Sequence, residues 1–246
     1  MNLIEAFGIQ QGDLISIVGG GGKSSLLFGL ERQWAGNIVI TTTTRIFAAQ
    51  IARARAHVTL DLLEQLGEQL AINRSCLVIG EAIGEKAQGV PIELPGELLA
   101  RQDVDVVAVE ADGSRMRPVK APAAHEPVIA PETTVGVIVV GMDALEGRLE
   151  EVAHRPKIIT TLTNTQLHQP LTPTTLTILL THPQGGLKSM PTNARIIVCL
   201  NKVDTEQRQE SASMIAQCLL ATSKIERVVL TKLQPDVEVV AVYPSA

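Results

Sequence analysis

The chain has 246 residues, 45% of them hydrophobic and 19% charged, a balance that suits a globular protein with a sizeable core and excludes a disordered one. Its formal net charge of −5 argues against a protein held on a nucleic acid backbone. Aromatics make up only 2%, scattered as Phe7, Phe28, Trp34, Phe47 and Tyr243, so there is no stacking platform for single strands and the core must come from Val, Ile, Leu and Ala.

Residues 14–18 read as a first strand and 23–34 as a first helix. Between them stand Gly19, Gly20, Gly21 and Gly22, followed by Lys23, Ser24 and Ser25. Glycines let the backbone curl so that its N–H groups face an anion, and the helix N-terminus adds partial positive charge. Lys23 would reach the outer phosphates of a nucleotide, and the Ser24 hydroxyl would ligate Mg²⁺. The run is not a strict Walker A, because Ile17 stands where that pattern needs its first glycine. It fits a shorter form, Gly-x-x-Gly-Lys-[Ser/Thr]-[Ser/Thr].

The second strand, 37–43, runs into Thr41-Thr42-Thr43-Thr44-Arg45. Threonine suits strands, so part of this run is open to a structural reading. Four hydroxyls and an arginine at a strand end equally suit phosphate or Mg²⁺, with Arg45 a stabiliser of the transferred phosphoryl group. A short strand is expected at 57–60 and a helix at 61–72 with Asp61 as its N-cap. Cys76 to Gly80 reads as a strand, and 84–96, with two prolines and three glycines, as a turn-rich excursion or hairpin.

Val104 to Val109 reads as a buried parallel strand ending in Glu110 and Asp112. Carboxylates in that place resemble a Walker B element, where one of them holds Mg²⁺ directly or through water. Glu110 and Asp112 are two apart and would share a face of a continuing strand. Arg115, Arg117 and Lys120 follow, either answering a polyanionic ligand or balancing the acids. The stretch 110–131 is long for a loop. It contains His125, framed by proline as His154 is in a later irregular region around 141–170. His57, His168 and His182 have no ligand spacing, so no metal cluster of histidines is supported.

Residues 135–140 read as a strand, 173–180 as a short helix, 195–200 as a strand, 206–221 as a helix, and 227–230 and 237–242 as the last strands. After the strand at 195–200 stands Asn201-Lys202-Val203-Asp204. This order resembles the guanine-specificity motif of GTP-binding proteins. A carboxylate can accept two N–H bonds from guanine, which adenine cannot offer. Asn201 can bond the base or tie loops together, and the Lys202 stem can lie along the base plane. An ordinary helix entry capped by Asp204 or Thr205 would look the same in sequence.

Alternating strands and helices imply an α/β fold, a mostly parallel sheet with helices on both faces. One domain over 1–246 is expected, with irregular insertions near 84–96, 111–131 and 141–170. Cys76, Cys199 and Cys218 form no Cys-x-x-Cys pair and are expected to be small core residues. A reducing cytoplasm is the natural compartment, with no signal segment and no apolar run of membrane length.

The glycine loop, Thr-Thr-Thr-Thr-Arg, Glu-Ala-Asp-Gly-Ser-Arg, Lys-Ala-Pro-Ala-Ala-His-Glu-Pro, His-Arg-Pro, Thr-His-Pro-Gln-Gly-Gly-Leu-Lys and Leu-Asn-Lys-Val-Asp occur here in one order. In that order they resemble the YqeC-type family, described as selenium-dependent hydroxylase accessory proteins. The resemblance implies a P-loop NTPase-like fold and a role in maturing a molybdenum hydroxylase that uses selenium, or its cofactor. On the residues, the leading expectation is Mg²⁺-dependent binding and hydrolysis of a nucleoside triphosphate, GTP before ATP, by Lys23, Ser24, Arg45 and Glu110 or Asp112. The short loop also resembles that of Mur-type amide ligases, so an ATP-dependent ligase or kinase is the second reading. A non-catalytic chaperone switched by nucleotide is the third. Neither nucleic acid nor membrane is an expected partner.

Overall fold

Runs of Val, Ile and Ala form the strands of a nine-stranded sheet in the computed structural model, which describes residues 1–222 and 224–245. The strands are β1 (Leu14–Gly19), β2 (Ile38–Thr42), β3 (His57–Thr59), β4 (Ser75–Ile79), β5 (Val106–Glu110), β6 (Val135–Gly141), β7 (Arg195–Asn201), β8 (Arg227–Lys232) and β9 (Glu238–Pro244). They lie side by side in the order β9-β8-β7-β6-β1-β5-β2-β4-β3. Each neighbouring pair is parallel except β8 and β9.

Both sheet faces are covered, which is why the strands read as unbroken apolar runs. On one face, Ile15, Ile17, Ile38, Ile40 and Val137 pack with Leu26, Phe28 and Leu30 of α2 (Lys23–Gln33) and with Leu3 and Phe7 of α1 (Leu3–Phe7). On the other, Val39, Val107 and Val109 meet α3 (Leu66–Asn73) and α4 (Leu94–Leu99). There too Ile138, Val140, Val198 and Leu200 meet α7 (Pro173–Thr181) and α8 (Glu206–Leu220), with α5 (Leu149–Val152) and α6 (Pro156–Thr163) beside them. Successive strand residues point to opposite faces, so one alternation serves both layers.

β1 is the switch point of the sheet. From it the chain builds β2 to β5 on one side, then crosses to add β6, β7, β8 and β9 on the other. Ligands of open α/β sheets bind beyond the carboxyl end of the strands at such a crevice. The glycine run begins there.

Several expectations from the sequence need correction. Residues 60–65 form a 3₁₀ turn and α3 starts only at Leu66, so Asp61 lies inside the turn and is no N-cap. Leu60 and Leu62 stay exposed there and Leu63 packs only partly against the core, whereas Leu66 and Leu70 are buried and seat the α-helix. The stretch near 84–96 is part hairpin (Ala82–Ile83 with Lys86–Ala87) and part α4, which carries Pro95 in its first turn. The region 141–170 holds α5 and α6. Pro156, which suggests a loop, is the first residue of α6, where its missing N–H costs nothing. Cys218 is exposed, while Cys76 and Cys199 are buried and burial pushes their thiols up to about 12. The sequence reading also passed over α1. Its signal is Asn2-x-x-Glu5: the Asn2 side chain accepts from Glu5 N at 2.9 Å and Glu5 Oε2 accepts from Asn2 N at 3.2 Å. Among the described residues no helix is long and apolar enough to cross a membrane.

Candidate functional site

The loop between β1 and α2 needs its glycines. Gly22 has φ 147°, and a Cβ there would fall 2.3 Å from Asn201 Nδ2. Gly19 has φ 99°, and a Cβ there would fall 2.3 Å from the Val139 carbonyl oxygen. Any larger residue at either position would be strained and would collide. Gly20 N–H donates to Val139 O (2.9 Å) and Gly21 N–H to Arg117 O (3.1 Å), which pins the loop to its neighbours. Beyond it, the N–H groups of Lys23, Ser24 and Ser25 open α2 without a side-chain cap or backbone partner among the described residues. Free amides at a helix start are an anion site in waiting.

Lys23 is buried. Its Nζ donates to Gly19 O at 2.9 Å and stands 3.4 Å from Asp112 Oδ1 and 3.6 Å from Glu110 Oε1. Burial alone would lower this ammonium, but Asp112 and Glu110 outweigh it and the pKa is raised. Lys23 therefore stays charged at neutral pH.

Glu110 and Asp112 both face Lys23, as their spacing suggests, but they do different things. Glu110 ends β5 and its Oε2 accepts the Ser24 hydroxyl at 2.7 Å, while Gln50 Nε2 donates to the same hydroxyl at 3.2 Å. Asp112 turns away from Ser24. It accepts the Gly19 N–H (3.1 and 3.2 Å to its two oxygens) and pairs with Lys120 Nζ at 3.0 Å. Glu110 lines the open cleft at the loop, whereas Asp112 does not.

Lys120 is the member of this cluster that the sequence left ambiguous. Its ammonium is buried between Asp112 and Glu126 (2.8 Å) and donates to Gly113 O at 2.7 Å, so it balances acids. Glu126 also pairs with Arg155. Burial alone would raise Glu126, but hydrogen bonds from Lys120 and Arg155 hold it down at about 2. His154 is half-buried beside them; burial first, then Arg155 and Lys120, push it down to about 4. His125 is exposed. Arg117 is spent on the Glu151 carbonyl.

The threonine run is largely structural. Thr41 Oγ1 donates to Val78 O (2.7 Å), Thr42 Oγ1 to Glu110 O (2.9 Å) and Thr43 Oγ1 to Val128 O (2.6 Å). The first two splice the end of β2 to β4 and β5, and the third ties it to the loop at Val128. Arg45 escapes that role and lines the cleft, exposed.

On the far side of the loop, Asn201 ends β7. Its Nδ2 donates to Gly21 O at 2.7 Å, and its Oδ1 accepts Leu233 N at 3.0 Å and the Thr231 hydroxyl at 3.2 Å. Asn201 thus ties the glycine loop to the segment after β8. Lys202, at φ 63°, pairs with Asp143 at 2.6 Å. Thr205, not Asp204, caps α8: its side chain accepts from Arg208 N at 3.2 Å. Asp204 is left at the cleft rim, paired with Arg208.

These residues surround one cleft of about 540 Å³, a size usual for small-molecule ligands. Gly21, Gly22, Lys23, Ser24, Ser25, Asn201, Lys202, Asp204, Glu110 and Arg45 all line it. Gln50 and Arg53, absent from the sequence reading, line it as well; no local motif marks them, since they come from a 3₁₀ turn over Ala48–Arg53. Among the described residues no group of three or more His, Cys, Asp or Glu could hold a metal ion. A cation here would rest on oxygen donors of mixed type.

A protein-family profile described as "YqeC protein" matches residues 15–157, which include the glycine loop, the threonine run, Glu110, Asp112 and Lys120. The chain is also 31% identical over 210 residues to the uncharacterized protein YqeC of Escherichia coli (strain K12), covering 84% of this chain and 82% of that protein. By both comparisons the chain belongs to the YqeC family.

Proposed function

We propose that the chain is a P-loop NTPase-like protein that binds a nucleoside triphosphate with Mg²⁺ in the cleft at β1 and hydrolyses it. The observation that carries this reading is the pairing of Ser24 with Glu110 at 2.7 Å beside Lys23, at the start of a helix whose first amides are free. A hydroxyl and a carboxylate are hard oxygen donors of the kind Mg²⁺ takes alongside phosphates and water. Close packing of the glycine loop against Val139, Arg117, Gly141 and Asn201 excludes a Cβ at Gly19, Gly20, Gly21 or Gly22 and so fixes the loop's course. In this reading Ser24 and Glu110 hold Mg²⁺, Lys23 and the loop amides take phosphate charge, and Asp112 fixes the loop from behind through Gly19.

GTP is the preferred nucleotide in this reading. Asp204 lies at the cleft rim and is free of helix capping, so its carboxylate suits the paired N–H donors of guanine. Service to a selenium-dependent molybdenum hydroxylase or its cofactor enters from the family resemblance and remains part of the proposal.

Calorimetric titration of the purified protein with GTP and with ATP, with and without Mg²⁺, tests the reading. Mg²⁺-dependent, GTP-selective binding that Lys23→Ala loses is the expected result. Unchanged affinity in that variant would remove the glycine loop from the site.

A further inference from the structure

The cleft is charged unevenly. At its Asn201 end the cations are neutralised inside the protein: Lys202 by Asp143 at 2.6 Å, and Arg208 by Glu146 at 2.6 Å and by Asp204. Lys23 is matched by Glu110 and Asp112. On the side of Gln50 stand Arg45, Arg53 and Lys86, all lining the cleft. None of these three forms an ion pair with a carboxylate among the described residues. Three unpaired cations in one cleft are a surplus in a chain of net charge −5.

The wall is built and not incidental. Three short strands, Ile46–Phe47, Lys86–Ala87 and Ala82–Ile83, form a small antiparallel sheet at the mouth. Lys86 Nζ sits 3.1 Å from the centroid of the Phe47 ring, and the Arg53 guanidinium lies 4.5 Å from that of Phe28. Rings steady these cations without neutralising them. Gln50, one turn from Arg53, donates to the Ser24 hydroxyl at 3.2 Å, so the wall adjoins the proposed Mg²⁺ side of the loop. Sheet order agrees: Asn201 follows β7 on one side of β1, whereas Arg45 follows β2 on the other.

We propose that this wall is a second subsite, which binds an anionic small molecule, carrying phosphate or carboxylate groups, next to the terminal phosphate of the nucleotide. A triphosphate on the glycine loop, with its base toward Asp204, spends its charge on Lys23, the amides and Mg²⁺. The three further cations, Arg45, Arg53 and Lys86, then answer a second anion. The proposal rests on the reading of the glycine loop as the triphosphate site, and it deepens that reading from hydrolysis towards a reaction with a co-substrate.

The test is a two-stage calorimetric titration. The protein is first saturated with Mg²⁺ and a non-hydrolysable triphosphate analogue, then titrated with inorganic phosphate or with malonate. The expected result is saturable binding of one of the two, weakened about tenfold or more in the Arg45→Ala/Arg53→Ala double variant and also in Lys86→Ala. Phosphate binding would mark a phosphorylated co-substrate and malonate binding a polycarboxylate. With the analogue bound, failure of both anions to bind, or equal binding in the variants, overturns the subsite. Failure of the analogue itself would sink the nucleotide reading instead. In that event the same anions are titrated into Lys23→Ala, where Arg45, Arg53 and Lys86 remain; binding there upholds an anion site on this wall with no nucleotide beside it, and its absence rejects the wall as a site.

Discussion

The Ser24 hydroxyl donates to Glu110 Oε2 at 2.7 Å, joining the first turn of α2 to the last residue of β5 across the floor of the cleft. Glu110→Gln keeps the shape and an oxygen acceptor but removes the charge. The Mg²⁺-dependent gain in triphosphate affinity is expected to fall by about tenfold to a hundredfold, the scale of one lost charged ligand. Titrations with and without Mg²⁺ read it directly, and an unchanged Mg²⁺ increment would take Glu110 out of the metal site.

Asp112→Asn is expected to act on the fold more than on the metal. It removes the carboxylate that both Lys23 and Lys120 share and that the Gly19 N–H donates to. Breaking a buried pair on one side costs about 3–5 kcal/mol. Urea unfolding should show a clearly larger loss for Asp112→Asn than for Glu110→Gln. The reverse order would mean that the two carboxylates have been given each other's roles.

Asn201→Ala leaves Gly21 O without its donor and Leu233 N without its acceptor. A loss of roughly 2–6 kcal/mol follows if each of the two groups costs its usual 1–3 kcal/mol. Thermal unfolding measures that loss, and the released loop should bind triphosphate more weakly. A variant with wild-type stability would contradict the tying role.

Asp204→Asn should leave stability within about 0.5 kcal/mol, since its carboxylate is exposed and its partner Arg208 keeps Glu146. Its effect is expected in selectivity, as a fall in the ratio of GTP to ATP affinity. An unaltered ratio would leave Asp204 as a surface partner of Arg208 alone.

Acid should loosen the cluster behind the loop in two steps. His154 titrates near 6.5 when unfolded and about 4 when folded, so the unfolded chain takes up the proton first and stability falls as pH drops from 6.5 to 4. Glu126 is depressed from 4.5 to about 2, so its contribution is complete above 4.5 and is lost as pH falls from there to 2. His154→Gln should flatten the slope of stability against pH in the upper window and leave the lower one. A slope between pH 6.5 and 4 that the substitution does not change would remove His154 as its source.

Much of the cleft was legible because strand ends are legible. Apolar runs identified β1, β2, β5 and β7, and the polar residues just after each line the cleft or brace its walls. The exceptions follow from physics that short-range patterns do not carry. The threonines at the end of β2 looked equally suited to ligand and to backbone, and only the adjacency of β2 to β4, β5 and the loop at Val128 assigns their hydroxyls to Val78, Glu110 and Val128. Lys120 could have served a ligand until its burial between Asp112 and Glu126 assigned it to the acids. Helix α6 was hidden because Pro156 signals a break in sequence and a start in space.

The sequence by itself determined the alternation of strand and helix, the position of the glycine turn before α2, and which residue types follow each strand. Those are local properties: hydrophobic period, β-branching, and the freedom of glycine to adopt positive φ. Tertiary structure alone decided that Glu110 faces Ser24 while Asp112 faces Gly19 and Lys120, that Asn201 holds Gly21, and that Arg45, Arg53 and Lys86 line the same cleft. The reason is the strand order. It brings together ends far apart in the chain, and the charge balance at each point depends on neighbours that no local pattern encodes.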